Sequence, residues 1–354
     1  MPSSGTTALA RDRDGYLWIG TKDGLARYDG VGFRIYRHNP GDSSALPGNN
    51  VQALHVDAQN RLWVGVEGQG LSVMSADRDG FRQISRANQP LLKSDDVWAI
   101  TSTPDGAVWF GTYAGGLYRL DRKDRLVRFL PQANNPHSLP AENVLALDVD
   151  VHGTLWVGTT SGLARWTPQG FETLPVASLS APVIISLSAE SDGSLWIGTE
   201  AGLDHRLADG RIESPTWRAQ LPDVGVTSVL RDREGTRWIT TVHGLCRERD
   251  GVIDTLADTP ANHLSMFMSL EDAEGGLWFA TVNAGLLRLP AGWRHFSVLH
   301  AGDAANNVAN APLRGASLSR DGRVWLVGAG GTLDLLDPQR GQVEHRLHAP
   351  KDLP

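Results

Sequence analysis

The stretch DRDGYLWIGTKDGLARYDG, residues 12–30, contains two turn signals, each followed by a short apolar run. Asp14-Gly15 precedes the run from Tyr16 to Ile19, and a second Asp-Gly pair at Asp23 precedes the next run. An Asp-Gly pair between two apolar runs is typical of a β-hairpin. The stretch therefore predicts antiparallel strands joined by tight turns, and nearly the same phrase returns seven more times along the chain.

The repeat aligns on a tryptophan that stands in phrases such as GYLWIGT and GSLWIGT, at intervals of 40 to 47 residues. Eight of the twelve tryptophans occupy this position, and we call them the repeat tryptophans: Trp18, Trp63, Trp109, Trp156, Trp196, Trp238, Trp278 and Trp325. A period of this length, with four short apolar runs per unit, is typical of a β-propeller. We therefore predict an all-β fold of four-stranded antiparallel blades and no helix.

The second apolar run of each unit is continuous, whereas a strand with one wet face would alternate apolar and polar residues. Each propeller blade packs between two neighbours, so its central strands are covered on both faces. We expect the repeat tryptophans to fill the space between blades, and the small residue after each one to let the next sheet approach closely.

Eight units are compatible with two arrangements. The long segment 299–312 precedes the eighth unit, and that unit lacks the Gly-Thr step after Trp325. These features favour a seven-bladed ring over residues 1–298, with residues 299–354 completing an eight-bladed ring or opening a second propeller. Because residues 348–354 resemble the loops that lead into other units, and Met1 closely precedes the first strand, we expect the chain to be a piece of a longer protein.

Composition argues against several classes of function. The net charge of −7 is spread along the chain without a basic patch, so nucleic acid is not an expected partner. Cys246 is the single cysteine, so no intrachain disulfide can form. No apolar run is long enough to span a bilayer, and the first ten residues do not resemble a signal peptide.

Motifs for catalysis, metals and cofactors are missing from the sequence. The DRDG-type links have acids at too few of the positions that a calcium loop needs, and turn capping explains them better. The eleven histidines are scattered, and no zinc motif, nucleophile motif or phosphate-binding loop occurs. We therefore predict no catalytic residue, no cofactor and no metal.

A ligand is expected at one rim of the propeller, where the loops between blades and the turns between second and third strands meet. The candidate binding residues are Lys22, Asp23, Asn50, Glu67, Gln69, Trp98, Tyr113, Glu200, His243 and Asn283. The longer loops follow units one, two, three and seven, which would be contiguous in a closed seven-bladed ring. The alternative role for Trp98 is a core position, and for Asn50 a turn cap.

The repeat resembles the two-component regulator propeller repeats, the sensor region of bacterial hybrid histidine kinases and some diguanylate cyclases. The shared pattern is D-x-x-G-x-(L/V)-W-(I/V/F)-G-T-x-x-G-L-x-R-(Y/L/W)-D, with the link NNPHSLPAENV at 134–144 and a similar one at 39–51. The resemblance covers nearly the whole chain. Thr240 and Val327 depart from it, because each replaces the glycine that follows the Trp-apolar pair.

The resemblance implies a ligand-sensing module of a bacterial signal-transduction receptor, periplasmic as part of a membrane-anchored parent. Any kinase or cyclase activity would then reside outside this chain. Members of the family respond to different ligands, sugars in several cases, so the resemblance implies a small molecule or saccharide without naming it. The following signalling domains are the other implied partners, and homodimer formation stays open.

Two alternative functions remain open from the sequence. Streptogramin lyase-like propellers share the Gly-x-(Val/Leu)-Trp-Phe phrase and use His and Glu near the channel with magnesium. Glu200 and His243 occupy equivalent turns of units five and six, and could therefore approach each other. The third interpretation is a platform for protein–protein interaction.

Overall fold

The computed structural model describes residues 1–256, 261, 263–292, 313–328, 331–337 and 342–348. Within these residues, 31 strands form eight antiparallel sheets in which the strands lie side by side in chain order. The predicted all-β fold is confirmed. The chain divides into two compact units, Met1–Ala291 with sheets 1–7 and Gly292–Pro354 with sheet 8. The predicted boundary between residues 298 and 299 lies outside the described residues.

The first four sheets are regular. Sheet 1 consists of β1 (Thr6–Arg11), β2 (Leu17–Thr21), β3 (Gly24–Tyr28) and β4 (Phe33–Tyr36). Sheet 2 consists of β5 (Val51–Val56), β6 (Leu62–Val66), β7 (Gly70–Met74) and β8 (Phe81–Ile84). Sheet 3 consists of β9 (Val97–Ser102), β10 (Val108–Thr112), β11 (Gly116–Leu120) and β12 (Leu126–Phe129). Sheet 4 consists of β13 (Val144–Val149), β14 (Leu155–Thr159), β15 (Gly162–Thr167) and β16 (Gly170–Thr173).

The later sheets follow the same order. Sheet 5 consists of β17 (Ile184–Ala189), β18 (Leu195–Thr199), β19 (Gly202–Arg206) and β20 (Ile212–Glu213). Sheet 6 consists of β21 (Val226–Arg231), β22 (Arg237–Thr241), β23 (Gly244–Arg249) and β24 (Val252–Asp254). Sheet 7 contains three described strands, β25 (Met266–Glu271), β26 (Leu277–Thr281) and β27 (Leu286–Leu289). Sheet 8 consists of β28 (Leu313–Leu318), β29 (Val324–Gly328), β30 (Thr332–Asp337) and β31 (Gln342–His348).

Helical structure in the described residues is limited to two single 3₁₀ turns. They are η1 (Val176–Ser178), between sheets 4 and 5, and η2 (Arg218–Gln220), between sheets 5 and 6. For the part of the chain that the structure describes, the prediction of no helix therefore holds apart from these turns. Among the described residues, no helix has the length and hydropathy to cross a membrane.

The link between first and second strands combines a left-handed turn residue with a carboxylate. In sheet 1 the turn residue is Gly15, with φ of 88°, and in sheet 2 it is Asn60, with φ of 63°. The Asp12 carboxylate accepts the backbone N–H groups of Asp14 at 3.0 Å and Tyr16 at 2.9 Å. Glycine and asparagine recur here because they tolerate positive φ best.

The same carboxylate position also accepts the indole N–H of the repeat tryptophan six residues later. In sheets 1–7 the distances lie between 2.8 and 3.0 Å, and the pairs are Trp18–Asp12, Trp63–Asp57, Trp109–Thr103, Trp156–Asp150, Trp196–Glu190, Trp238–Asp232 and Trp278–Asp272. Each bond satisfies a polar atom that would otherwise be buried without a partner.

The seven repeat tryptophans of sheets 1–7, which make up the first compact unit, are buried and lie against the following sheet. Trp18 packs with Val64 of sheet 2, and Trp63 packs with Phe110 of sheet 3. Trp278 of sheet 7 packs with Leu17 and Ile19 of sheet 1. In unit 2, Trp325 is only partly buried.

The residue two positions after a repeat tryptophan is where neighbouring sheets come closest. A Cβ added at Gly111 would lie 2.4 Å from the Val144 Cγ1 atom of sheet 4, so no larger residue fits without movement. In sheet 6 the residue is Thr240, whose hydroxyl lies 3.0 Å from that of Thr227. The larger residue at this position thus makes a hydroxyl contact within its own sheet.

The first strands contact one another in a continuous series, and β25 of sheet 7 contacts β1 of sheet 1. The same backbone hydrogen bond also recurs between neighbouring sheets. Gly24 N donates to Asn49 O at 2.7 Å between sheets 1 and 2, and Gly285 N donates to Ser4 O at 2.7 Å between sheets 7 and 1. Sheet 7 therefore meets sheet 1 by the contacts that join sheet 1 to sheet 2.

Candidate functional site

A recurrent backbone hydrogen bond brings the predicted candidate segments together. In sheet 2, Glu67 N donates to Asn50 O at 2.9 Å, and in sheet 3, Tyr113 N donates to Asp96 O at 3.0 Å. The equivalent donors in the other sheets of unit 1 are Lys22, Thr160, Glu200, Val242 and Val282. We call the seven turns between second and third strands, with the residues that precede each first strand, the rim.

Each first strand of unit 1 has a register shift at its second residue, which leaves that residue unpaired. The seven residues are Thr7, Gln52, Trp98, Leu145, Ile185, Thr227 and Phe267. A bulge re-aims the side chain of the extra residue. At Trp98 the result is clear, since the neighbouring Val97 and Ala99 are 0% and 9% exposed while Trp98 is 46% exposed.

Trp98 and Tyr113 form an exposed aromatic pair on sheet 3. Their ring centroids are 6.0 Å apart and their planes are tilted by 33°. Tyr113 is 48% exposed. Large aromatic surfaces are normally buried, so two adjacent exposed rings with polar tips are typical of a ligand-contacting surface.

The candidate residues of sheets 1 and 2 are held by local pairs. Arg37 Nη2 lies 2.7 Å from Asp23 Oδ2, and Asn50 Nδ2 donates to Glu67 Oε2. Lys22 is exposed. Gln69 is exposed too, and its carbonyl accepts a hydrogen bond from the Gln83 side chain at 2.7 Å.

The candidate residues of sheets 5 to 7 lie on the same kind of turn. His243 Nδ1 lies 2.7 Å from Asp223 Oδ2, so its contact is with the loop before β21. The pKa of Asp223 is held below its ordinary value by the backbone N–H of Gly225 and by His243, against a smaller effect of burial. Glu200 and Asn283 are exposed.

Buried leucines anchor the three loops that connect sheets 1 to 4. Leu46, Leu92 and Leu139 are 1%, 1% and 2% exposed, and each packs in the core between two sheets. The repeat pattern of the sequence did not predict this anchoring role. The available signal was the Leu that precedes Pro in two of these links, at 39–51 and 134–144.

Two ionisable side chains with strongly shifted pKa values lie on first strands, away from the rim. Burial lowers the pKa of His55 to about 4, and its Nε2 lies 2.8 Å from Ser102 Oγ. Burial raises the pKa of Asp148 to about 6, although Asp148 accepts the Ala189 N–H at 2.7 Å. Each side chain reaches from one sheet to the next.

The described residues contain no group of three or more side chains that could hold a metal ion. Two clefts lie away from the rim. One of about 350 Å³ is lined by residues including Asp12, Asn60 and Arg78 of sheets 1 and 2. The other, of about 310 Å³, is lined by residues including Phe129 and Trp166.

Comparison with known proteins agrees with the repeat pattern. The model of the two component regulator propeller family matches residues 1–23, 45–68 and 91–114. The resemblance inferred from the sequence is thereby confirmed at these three segments, and the fold is a β-propeller. A curated relative, Histidine kinase P4 of Formosa agariphila, is 44% identical over 46 residues, which cover 13% of this chain and 3% of the relative.

Solved structures share the fold at low sequence identity. The extracellular domain of a protein assigned as a hybrid two component system from B. thetaiotaomicron matches with a TM-score of 0.76 and 18% identity, over 98% of this chain and 47% of its own. A second extracellular domain from B. thetaiotaomicron, assigned to a one component system, matches with a TM-score of 0.64 and 20% identity, over 98% and 52%. The chain thus spans about half the length of these two domains.

An enzyme also shares the fold. Virginiamycin B lyase from Staphylococcus aureus matches with a TM-score of 0.60 and 14% identity, over 80% of this chain and 94% of its own. Because propellers host many unrelated functions, this likeness describes architecture alone.

Proposed function

We propose that the chain is the ligand-sensing module of a bacterial signalling receptor and that it binds a small molecule at the rim. The observation that carries the proposal is the exposed pair of Trp98 and Tyr113, which a bulge and a turn place side by side. The family repeats and the likeness to extracellular domains of signalling systems support the sensor role. A saccharide is one candidate ligand, since sugars stack on exposed aromatic rings.

The rest of the receptor would lie outside this chain. In this proposal the module is extracytoplasmic, and a kinase or cyclase elsewhere in a longer parent protein produces the output. The support is that the chain spans about half of the two matched extracellular domains, and that the 46-residue match to the histidine kinase covers 3% of that relative.

We also propose that sheets 1–7 form a closed seven-bladed ring and that sheet 8 begins a second propeller. The hydrogen bond from Gly285 to Ser4 and the packing of Trp278 on Ile19 support closure between sheets 7 and 1. The exposure of β28 along its whole length, with Leu318 74% exposed, supports a separate role for sheet 8. In sheets 1–7 the first strand is mostly covered.

The sensor proposal is tested by screening the full chain against a panel of saccharides and small metabolites in thermal-shift assays, with isothermal titration of every hit. We expect a ligand that raises the melting temperature and whose binding is lost in Trp98→Ala, because this change removes most of the aromatic surface.

Phe33→Ala is the matched control, since Phe33 is 42% exposed and stacks on Tyr28 at 4.9 Å on the outer part of sheet 1. It should leave the affinity unchanged. Hits that bind Trp98→Ala as well as they bind the native chain would contradict the placement of the site at the rim.

A lyase-like enzyme is the second candidate function. It is favoured by the pair of His243 and Asp223, because a carboxylate that holds one imidazole nitrogen leaves the other oriented for proton transfer. Magnesium-dependent turnover of a streptogramin that disappears in His243→Ala, with folding intact, would support this function over sensing.

A further inference from the structure

Two carboxylates lie in the part of the rim that carries the aromatic pair of Trp98 and Tyr113. Asp96 stands two residues before Trp98, and its carbonyl accepts the Tyr113 N–H at 3.0 Å. Glu67 begins the neighbouring turn of sheet 2, and Gly70 at the end of that turn donates to the Asp95 carbonyl at 2.8 Å. The exposed rings and both carboxylates therefore belong to the part of the rim shared by sheets 2 and 3.

The side-chain partners of these two carboxylates are neutral amides. With its amide turned to satisfy both polar atoms, Gln52 donates to Asp96 Oδ1 at 2.8 Å and to the Val97 carbonyl at 3.3 Å. Asn50 donates to Glu67. Amides orient a carboxylate without neutralising its charge, so both negative charges remain in the part of the rim that carries the aromatic rings.

Other acids in or beside the rim have cationic partners. Asp23 pairs with Arg37 at 2.7 Å, and Asp95, adjacent to Asp96, pairs with Arg86 at 2.8 Å. The neighbouring cations of sheet 3 have partners of their own. Arg128 donates to the Gly115 carbonyl at 2.8 Å, and Lys93 donates to the Pro90 carbonyl at 2.8 Å.

We propose that this part of the rim binds an organic cation, a primary or N-methylated ammonium group, on the faces of Trp98 and Tyr113, with Asp96 and Glu67 as its counter-charges. A cation over an aromatic face is attracted by the ring quadrupole, and tryptophan attracts it most strongly. Nearby carboxylates add a Coulombic contribution. The inference rests on the proposed sensor site and specifies the chemical class of its ligand.

Charge and ring geometry together favour a cation over an anion. An anionic ligand would meet two like charges, while the neighbouring cations Arg86, Arg128 and Lys93 already bond to Asp95, the Gly115 carbonyl and the Pro90 carbonyl. A neutral ligand would use the rings, and its hydroxyl groups could donate hydrogen bonds to the carboxylates. Only a cationic group also gains from their negative charge.

The test uses two probes of the same shape that differ in charge, choline and 3,3-dimethyl-1-butanol. Binding to the full chain is followed by ligand-observed NMR titration. We expect choline to bind at least about tenfold more tightly than the alcohol, and Trp98→Leu to weaken choline binding about tenfold, as expected for a cation–aromatic contact of ~1–2 kcal/mol. Added salt should weaken choline binding but not binding of the alcohol.

The charge is tested separately from the rings. Glu67→Gln alone, and Glu67→Gln with Asp96→Asn, should weaken choline binding several-fold and leave the melting temperature close to that of the native chain. Asp79→Asn is the matched control, since Asp79 is an exposed carboxylate paired with Arg34 away from the rim. It should leave choline affinity unchanged.

Equal affinity for both probes, choline binding that persists without the carboxylates, or no saturable binding of choline would each overturn the inference. The sensor proposal fails differently. A neutral saccharide that binds through Trp98 would overturn the cationic ligand and leave the sensor site in place, whereas the absence of any Trp98-dependent ligand would remove both.

Discussion

The carboxylate of Asp57 accepts hydrogen bonds both from the backbone of its own turn and from the repeat tryptophan. It accepts the backbone N–H groups of Gln59 and Arg61, and its second oxygen accepts the Trp63 indole N–H at 2.8 Å. In sheet 3 the hydroxyl of Thr103 accepts the indole N–H of Trp109 at 3.0 Å. The position therefore requires a side chain with an acceptor oxygen, and not a charge.

Replacing Asp57 separates these requirements. Asp57→Ala should lower the free energy of unfolding by about 1–3 kcal/mol, because it leaves the buried indole N–H without an acceptor. Asp57→Thr should lower the free energy of unfolding by less than Asp57→Ala, since a threonine hydroxyl accepts the indole N–H in sheet 3. Denaturant unfolding measures both, with the exposed turn residue Asp77→Ala as control. Equal losses in the Ala and Thr variants would contradict the role of the acceptor.

The residue types of the repeat predicted much of this local chemistry. Glycine in the turn, the small residue after each repeat tryptophan and the bond from the leading acid to its own turn all follow from steric and hydrogen-bonding rules. The bond from that acid to the indole was missed, although a constant spacing of six residues was its signal. Spacing alone does not say that the two side chains turn toward each other.

At the scale of a strand, the β-bulge is the feature that sequence patterns did not predict. Trp98 follows Val97 in an apolar run, so both a core position and an exposed one were compatible with the sequence. The extra residue decides between them, because it interrupts the alternation of faces along β9. The sequence thus predicted which turns and strand ends meet at the rim, but not which of their side chains are exposed.

Two first strands carry ionisable groups whose burial makes stability depend on pH. His55 on β5 has a folded pKa of about 4, below its ordinary value of 6.5, so the unfolded chain takes up the proton first. The neutral form therefore stabilises the fold above pH 6.5, and this contribution is lost as the pH falls toward 4. Asp148 on β13 has the opposite effect on stability. Its folded pKa is raised to about 6 from an ordinary value of 3.8, so the folded state gains stability as the pH falls from 6 toward 3.8.

Replacing His55 isolates its share of the pH dependence. His55→Gln removes the ionisable group. As the pH falls from 6.5 to 4, the native chain should therefore lose unfolding free energy relative to the variant. Denaturant unfolding at a series of pH values measures this difference. The exposed His137→Gln should show a smaller change, and parallel pH profiles for His55→Gln and the native chain would refute the assignment.

For unit 1 as a whole, the contact between sheets 7 and 1 joins residues that are far apart in sequence. The Thr6 hydroxyl lies 3.0 Å from the carbonyls of Thr281 and Gly285, and accepts the Thr281 N–H at 2.7 Å. Thr6 is fully buried. These bonds tie the first strand of the chain to a hairpin some 275 residues later.

Removing the Thr6 hydroxyl tests this junction. Thr6→Val keeps the shape and the strand propensity but leaves the Thr281 N–H without its acceptor, so the free energy of unfolding should fall by roughly 1–3 kcal/mol. Limited proteolysis should also cut the variant faster near Ser4 and Gly285. Thr173→Val, on an exposed outer strand, is the control. Unchanged stability in Thr6→Val would show that the junction is held by apolar packing alone.

The three leucines that pin the loops between sheets 1 and 4 have a consequence for recognition. Leu46, Leu92 and Leu139 fix these loops in the core before any ligand arrives. The conformational entropy of ordering them is therefore lost during folding and is not subtracted from the affinity. An occupied rim would therefore differ from an empty one in charge and buried surface more than in loop shape.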